Sequence, residues 1–486
     1  MRGVVHSVLE STPEAAARRL AETPPECALS ELRADRLRAA DVAGLVRRAD
    51  RPVIATVRTA EGGGAFDGST EEKRAILTAA LSAGAAFVDV EWDGPLRNLA
   101  FASTAGRVIL SHHGARCEPQ ALHPLLAEMA ETKAARLKIV PRGERLGETP
   151  VLRDLLARSR AIRRDVCAFA SGPAGLLSRI AALAWGSWGT YGAASRPAGE
   201  AQPTTRDLLA VYRAHEIGEG TAVYGLCGSP VLTSPSPAMH AAAYRETGLD
   251  AIYVPLESAD LDDVAALAAD GGALPFSGLG VTIPLKEHAA KRCTRLDAFA
   301  ACGAANTVVF DEGGWSGFNT DAPAAVALIR KELDPERRHV AILGAGGTAR
   351  AVAAALVASG ALVTLYSRNH ERGEEAATAT GAASAPWVDL FAAPWEILVN
   401  ATPAGRNGEE LLLRRHLNGR MVLDAAYGAE PTPLVRAAHA RGLAVADGFD
   451  LLEEQAALQF HRLTGHDAPR GAMAAALSAW RDAASA

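Results

Sequence analysis

Two lysines stand where carbonyl chemistry would use them. Lys138 lies in the apolar run Leu137-Lys138-Ile139-Val140, which ends at Pro141. Lys286 closes Gly280-Val281-Thr282-Ile283-Pro284-Leu285-Lys286, read as another short strand ending in a turn. An amine among apolar neighbours loses hydration of its ammonium form, which favours the neutral nucleophile. Around Lys138 the chain supplies what a Schiff-base elimination needs. His113, in Ile109-Leu110-Ser111-His112-His113-Gly114, is an imidazole suited to taking a proton and returning it to a leaving hydroxyl. Spacing alone leaves open which of His112 and His113 faces the reaction. Glu61 is placed to hold the imidazole in one tautomer. Arg33, Arg58 and Arg179 carry guanidiniums that can grip a carboxylate and hydroxyls. The chemistry these residues describe is loss of water from a β-hydroxyketone.

Lys286 points to a different step. Paired with Asp321, at the end of Gly317-Phe318-Asn319-Thr320-Asp321, it could protonate the alkoxide that forms when a ketone takes up hydride. Asp321 also stands where a helix N-cap would. Ser234 and Ser236, around Pro235, offer hydroxyls to a substrate carboxylate, or caps to a helix. Downstream, Val340-Ala341-Ile342-Leu343 runs into Gly344-Ala345-Gly346-Gly347-Thr348-Ala349-Arg350. A glycine turn between a buried strand and a helix presents backbone N–H groups to a pyrophosphate. The next strand ends in Ser367-Arg368-Asn369-His370-Glu371-Arg372, with arginines where an NAD site usually has an acid. Arg368 and Arg372 therefore point to the 2′-phosphate of NADP.

The elements that must position these groups fall into two sets. Strands are expected at 3–9, 27–33, 52–58, 86–91, 106–111, 136–140, 165–170 and 187–193. Amphipathic helices lie between them, one opening at Ser69-Thr70-Glu71-Glu72. Eight such units in about 215 residues predict a (β/α)8 barrel, with Glu31, Arg33, Arg58, Glu61, His113 and Lys138 at its catalytic, C-terminal face. A closing helix over 203–220 leads into a second α/β unit with a hairpin over 306–319 and a helical tail over 451–484. Domains are placed at 1–218 and 219–486. The second divides into a substrate lobe, 219–321 plus about 450–486, and a Rossmann lobe, 322–449. The 486 residues are too many for one core. A formal net charge of -6 gives no electrostatic case for nucleic acid or an anionic membrane. No apolar run approaches the ~20 residues of a membrane span. Six cysteines without a C-x-x-C pair read as reduced thiols of a cytoplasmic protein. No His/Cys/Asp cluster has metal-ligand spacing.

In the first half, Glu31-Leu32-Arg33-Ala34-Asp35, Arg58 with Glu61-Gly62-Gly63, Ser111-His112-His113, Lys138-Ile139 and Ser178-Arg179 resemble, in that order, type I 3-dehydroquinate dehydratases. The resemblance covers about residues 1–215. It implies Lys138 as the Schiff-base lysine, His113 as the base and Glu61 as its partner. Glu31, Arg33, Arg58, Arg179 and Gln202 would bind substrate. Two departures stand out: Ala198-Gly199-Glu200-Ala201-Gln202 lacks the family's loop serine, and Gly114 follows the base histidine where a larger residue is common.

From about 221 onward the chain resembles shikimate dehydrogenases. Ser234-Pro235-Ser236-Pro237 with His240, Val281-Thr282-Ile283-Pro284 with Lys286, Gly303-Ala304-Ala305-Asn306-Thr307, Asn319-Thr320-Asp321, Asn400-Ala401-Thr402-Pro403, Asp424-Ala425-Ala426-Tyr427 and Glu454-Gln455-Ala456 carry the likeness. It implies a substrate set of Ser234, Ser236, Thr282, Asn306, Asn319, Tyr427 and Gln455. It adds Asn400 and Thr402 on the nicotinamide side. Gly280 stands where that family usually has Asn or Ser. Together the two resemblances imply a bifunctional enzyme of aromatic amino-acid biosynthesis, as monomer or homodimer. It would dehydrate 3-dehydroquinate and reduce 3-dehydroshikimate to shikimate with NADPH. Alternatives are a quinate dehydrogenase using NAD and a metabolite-sensing regulator built on the same folds.

Overall fold

The computed structural model describes residues 1–60, 62–195, 201–269, 276–409, 417–428 and 430–485. Glu61, and the loop residues Ala198, Gly199 and Glu200, lie outside the described residues. The chain divides into two compact units. One is Met1–Ala222 with Val254–Ser258 and Asp262–Pro275; the other is Val223–Tyr253 with Ala259–Leu261 and Phe276–Ala486. Within the first, the buried Asp263 carboxylate accepts the backbone N–H groups of Leu146 and Gly147 at 2.9 and 2.8 Å.

Eight parallel strands form the first unit's sheet: β1 Gly3–Leu9, β2 Cys27–Arg33, β3 Val53–Thr56, β4 Phe87–Glu91, β5 Val108–Arg116, β6 Arg136–Arg142, β7 Val166–Ala168 and β8 Gly189–Ala193. They pair in the order β7-β6-β5-β4-β3-β2-β1-β8. The seam between β7 and β8 carries a hydrogen bond from Trp188 N–H to the Val166 carbonyl (3.2 Å). This is a nearly closed barrel. Alternate side chains of a strand share a face, so one set fills the interior. Val5, Leu29, Ile54, Ile109, Val140, Cys167 and Tyr191 pack there as an apolar layer. Counting in steps of two from that layer places Ser7, Glu31, Thr56, Ser111 and Lys138 on the same inner face. The helix Thr70–Ser82 opens where expected, with a Ser69/Glu72 capping box.

Two further sheets lie mostly in the second unit. In the first, β9 (Ala222–Gly228), β10 (Ala251–Glu257), β11 (Phe276–Val281), β12 (Arg295–Leu296), β13 (Thr307–Asp311) and β14 (Gly314–Phe318) pair in the order β10-β9-β11-β13-β14-β12. β13 and β14 form the expected hairpin. In the second, β15 (His339–Leu343), β16 (Leu362–Ser367), β17 (Ala383–Pro386), β18 (Ile397–Asn400), β19 (Met421–Asp424) and β20 (Ala444–Ala446) are parallel, in the order β17-β16-β15-β18-β19-β20. That is the doubly wound 3-2-1-4-5-6 order, with its ligand crevice beyond the carboxyl end of the first strand.

Three local expectations change. Lys286 does not end a strand. β11 stops at Val281, a Thr282–Leu285 turn closes with a 2.8 Å backbone hydrogen bond, and Lys286 opens the helix Lys286–Arg292. Over 203–220 the chain makes a single π turn, Asp207–Val211, and Arg213 takes a positive φ of 49° that no helix allows. The tail is two helices, Gly448–Thr464 and Arg470–Ser485. The first ends in a left-handed Gly465, and Pro469 precedes the second.

Gly280 has a steric reason. A Cβ there would lie 2.0 Å from the Tyr253 hydroxyl and 3.0 Å from Gln459 Oε1. Tyr253 Oη donates to Gln459 Oε1 (2.8 Å), and Gln459 Nε2 donates to the Asn306 carbonyl and Thr307 Oγ1. The phenol thus occupies the volume of the missing side chain. Gly280→Ala is expected to destabilise the protein by roughly 1–3 kcal/mol. Most of that loss should vanish in a Tyr253→Phe background, as read by urea unfolding of the four-member cycle. An equal loss in both backgrounds would show that the phenol is not the obstacle.

Candidate active sites

In the barrel, Lys138 Nζ lies 3.3 Å from Asp89 Oδ2 and 3.7 Å from Glu31 Oε1, with the Tyr191 ring centroid 4.1 Å away. All three charged groups are buried, with exposures of 2–5%. The apolar setting expected for Lys138 therefore holds along its strand but not at its tip, where two carboxylates pair it. Each carboxylate has its own support. Glu31 accepts from Ser7 Oγ (2.5 Å) and Thr56 Oγ1 (2.9 Å). Asp89 accepts from Ser111 Oγ (2.5 Å) and has Arg58 Nη2 at 3.7 Å. Burial opposes ionisation of both, yet Lys138 with Arg33 holds Glu31, and Lys138 with Arg58 holds Asp89, below the ordinary carboxylate range.

Arg33 is set by a fork onto Asp35, Nη2 to Oδ2 at 2.6 Å and Nε to Oδ1 at 3.3 Å. Asp35 in turn accepts the backbone N–H of Arg58 (3.0 Å). Arg179 lies with its guanidinium 4.2 Å from the Phe169 ring centroid. Its Nε is buried with no hydrogen-bond partner among the described residues, and burial lowers its pKa to about 10. A cation held so is prepared for an incoming anion. Gln202 is half-buried just past β8.

Strand alternation decides between the histidines. His113 shares the inner face with Ile109 and Ser111, whereas His112 Nδ1 lies 2.7 Å from Asp93 Oδ2. Burial, then the charges of Arg58 and Lys138, push His113 well below the usual imidazole range. Gly114 follows it with φ +88°, at a register shift in β5, a conformation that a larger residue would strain. Asp89 was not among the residues expected from sequence, though it had a signal: an acid at an inward position of the strand Phe87-Val88-Asp89-Val90-Glu91.

In the second unit a cavity of about 900 Å³ runs between the two sheets' lobes. Lys286 Nζ donates to Asp321 Oδ2 at 2.5 Å and to Thr348 Oγ1 at 3.0 Å. Asn306 Nδ2 donates to Asp321 Oδ1 (2.8 Å), and Gln455 Oε1 lies 3.3 Å from Thr320 Oγ1 and 3.5 Å from Asn306 Nδ2. Asp321 is spared the capping role, because Asn319 Oδ1 accepts the Ala322 N–H (3.1 Å) while its Nδ2 donates to the Ala304 carbonyl. Asn319 is thus committed to backbone. Ser234 and Ser236 both line the cavity, 3.2 Å apart at Oγ; Ser234 also accepts the Ser236 N–H. Thr282, Tyr427 and Gln455 line it too. His240 does not. It is fully buried, stacked on Tyr253 at 4.1 Å, and burial pushes it down to about 3.

At the nucleotide end, Gly344, Ala345, Gly346, Gly347 and Thr348 border the cavity. Gly344 has φ +106°, and a Cβ on it would meet Thr402 Cγ2 at 3.0 Å, while Gly346 faces open space. Ala349 is buried where the turn's helix packs. Ser367, Arg368 and Arg372 border the same cavity, as does Thr402. Asn400 stands behind it, donating to Asp424 Oδ1 (2.8 Å) and accepting from Thr402 Oγ1 (2.7 Å). Bare backbone at a helix start, with two arginines beyond the next strand, fits a dinucleotide carrying a 2′-phosphate.

Residues 226–308 match the family model for the shikimate dehydrogenase substrate binding domain, and 448–477 that for the shikimate 5′-dehydrogenase C-terminal domain. A shikimate dehydrogenase (NADP(+)) from Anaeromyxobacter sp. (strain Fw109-5) is 39% identical over 272 residues, covering 53% of this chain and 96% of that protein. The chain belongs to the shikimate dehydrogenase family. Ahead of that half, residues 4–219 match the model for type I 3-dehydroquinase. A bifunctional 3-dehydroquinate dehydratase/shikimate dehydrogenase, chloroplastic, from Arabidopsis thaliana is 29% identical over 464 residues, 88% of this chain and 76% of that protein. A crystal structure of shikimate 5-dehydrogenase from Thermus thermophilus is 31% identical, covers 54% of this chain and 100% of that one, and has a TM-score of 0.48. The shikimate dehydrogenase half thus contains the Lys286–Asp321 pair, and the type I 3-dehydroquinase half contains Lys138.

His113 has a depressed folded-state value, so its ring stays neutral where a free imidazole would be half protonated. The stability this lends is present above about pH 6.5 and lost as the pH falls below it. An NMR titration of 15N-labelled histidines should place the His113 midpoint well under about 6.5, the value of a free imidazole. A midpoint at or above that value would contradict the electrostatics described.

Proposed function

We propose that the chain carries 3-dehydroquinate to shikimate in two reactions at separate sites. The observation that carries the first is Lys138 Nζ, buried and hydrogen-bonded to Asp89 at 3.3 Å. Once one ammonium proton has passed to a neighbouring oxygen, the amine adds to the substrate ketone. Loss of water leaves an iminium. Neutral His113 removes the adjacent proton, and the bonding electrons move toward the iminium nitrogen. His113 then returns that proton to the hydroxyl leaving from the β carbon, and hydrolysis frees Lys138. Arg179, lacking a partner at Nε, is assigned to the substrate carboxylate, and Arg33, Arg58 and Glu31 to its hydroxyls.

In the second reaction bound NADPH supplies the hydride. Lys286 gives a proton to the alkoxide oxygen as it forms. Two of its three N–H bonds are spent on Asp321 and Thr348, which leaves the third for substrate. Ser234 and Ser236 hold the carboxylate, and Thr282, Asn306, Tyr427 and Gln455 the remaining polar groups. Arg368 and Arg372 select NADP. The described residues contain no helix long and apolar enough to cross a membrane. We place the protein in the cytoplasm, where its free cysteines would stay reduced.

Lys138→Ala is expected to lower dehydration by roughly a thousandfold or more while sparing reduction of 3-dehydroshikimate. Lys286→Ala should lower reduction by about 10²–10⁴ and spare dehydration. Loss of both activities from either change would contradict separate sites. Borohydride added during turnover of 3-dehydroquinate should leave a reduced adduct on the peptide containing Lys138. Full dehydration with that peptide unmodified would remove the covalent step.

A further inference from the structure

The nucleotide end of the cavity holds a feature that the reduction does not use. Arg372 Nη2 is 2.7 Å from Glu287 Oε1. Glu287 is the second residue of the helix that Lys286 opens, and Arg372 lies in the first turn of the helix His370–Thr380, its N–H held by Asn369 Oδ1 at 3.0 Å. Both side chains border the cavity and are partly exposed, Arg372 by 51% and Glu287 by 30%. Arg368, the other cation here, has a side chain open to solvent and borders the same space.

We propose that Glu287 sets how strongly this site prefers a 2′-phosphorylated nucleotide, by competing with the phosphate for Arg372. The inference rests on the NADP reading above. A guanidinium binds carboxylate and phosphate through the same fork, so a 2′-phosphate that takes Arg372 must displace the carboxylate or share the cation with it. Sharing brings a phosphate dianion beside a carboxylate, which is repulsive. Either way Glu287 subtracts from the affinity gained at the 2′-phosphate and leaves the rest of the nucleotide untouched. Its size follows from exposure. Solvent-exposed pairs contribute about 0–1 kcal/mol, which is up to roughly fivefold in affinity, and salt screens them.

The test uses the full chain and two probes, 2′,5′-ADP and 5′-AMP, titrated calorimetrically in low and high salt. Glu287→Gln keeps the shape of the side chain and removes its charge. It is expected to tighten 2′,5′-ADP by about two- to fivefold, to leave 5′-AMP unchanged, and to lose the gain in high salt. In an Arg372→Gln background the same change should have no effect on 2′,5′-ADP. If the unaltered chain prefers 2′,5′-ADP but Glu287→Gln leaves that preference as it was, this inference is overturned alone. The same holds if both probes tighten equally, or if the gain survives without Arg372. Equal affinity of the unaltered chain for the two probes would overturn the 2′-phosphate reading, and this inference with it.

Discussion

The barrel depends on a cluster of buried charges that must neutralise itself. An ammonium removed from water is costly unless it is paired, and so is a carboxylate. Lys138 meets that condition by lying between Glu31 and Asp89. Those acids meet it through hydroxyls from three further strands and through the neighbouring arginines. Six of the eight strands therefore contribute a polar group to this cluster, next to the apolar layer that fills the interior. The fold's alternation does the sorting, and no loop has to find its place for the layer to assemble. Arg179 stands apart from these pairings, its Nε buried without a hydrogen-bond partner among the described residues.

The second unit solves a different problem. Lys286, the proposed proton donor, is partly open to the cavity, and its geometry is fixed by directed hydrogen bonds more than by burial. Three segments meet at Lys286 Nζ: the helix it opens, the start of the helix Asp321–Glu332, and the glycine turn through Thr348. Asn319 is what frees Asp321 for this. By taking the capping bond at the helix start it leaves the acid two residues later with both oxygens available, one for Lys286 and one for Asn306.

Much of this was legible in the chain because two periodicities were. Apolar strands spaced by amphipathic helices indicated a barrel, and a buried strand before Gly344 indicated a nucleotide turn. Side-chain partners were harder. Asp89 is a short acid in an apolar strand, and its meaning needs Lys138, which is 49 residues on. Thr348 looked like part of a phosphate turn, and its hydroxyl turned out to face a lysine 62 residues earlier. The choice between His112 and His113 was not within reach of the sequence, since Ile109 and Leu110 are both apolar and only the structure puts Ile109, and with it His113, on the interior face. Nor was the helical position of Lys286, because Pro284 is compatible with either a strand end or a turn. The residue expected to orient His113, Glu61, lies outside the described residues.

Tyr253 on β10 and Gly280 on β11, with β9 between their strands, share a volume that holds only one of the two side chains. Neither can be altered toward a bulkier side chain while the other stays as it is. A side chain at 280 and the phenol at 253 exclude one another, so a gain at 280 requires the phenol to leave. For anyone grafting this lobe's preferences onto a related scaffold, the unit of transfer is the couple, carried together with Gln459, and not a single position.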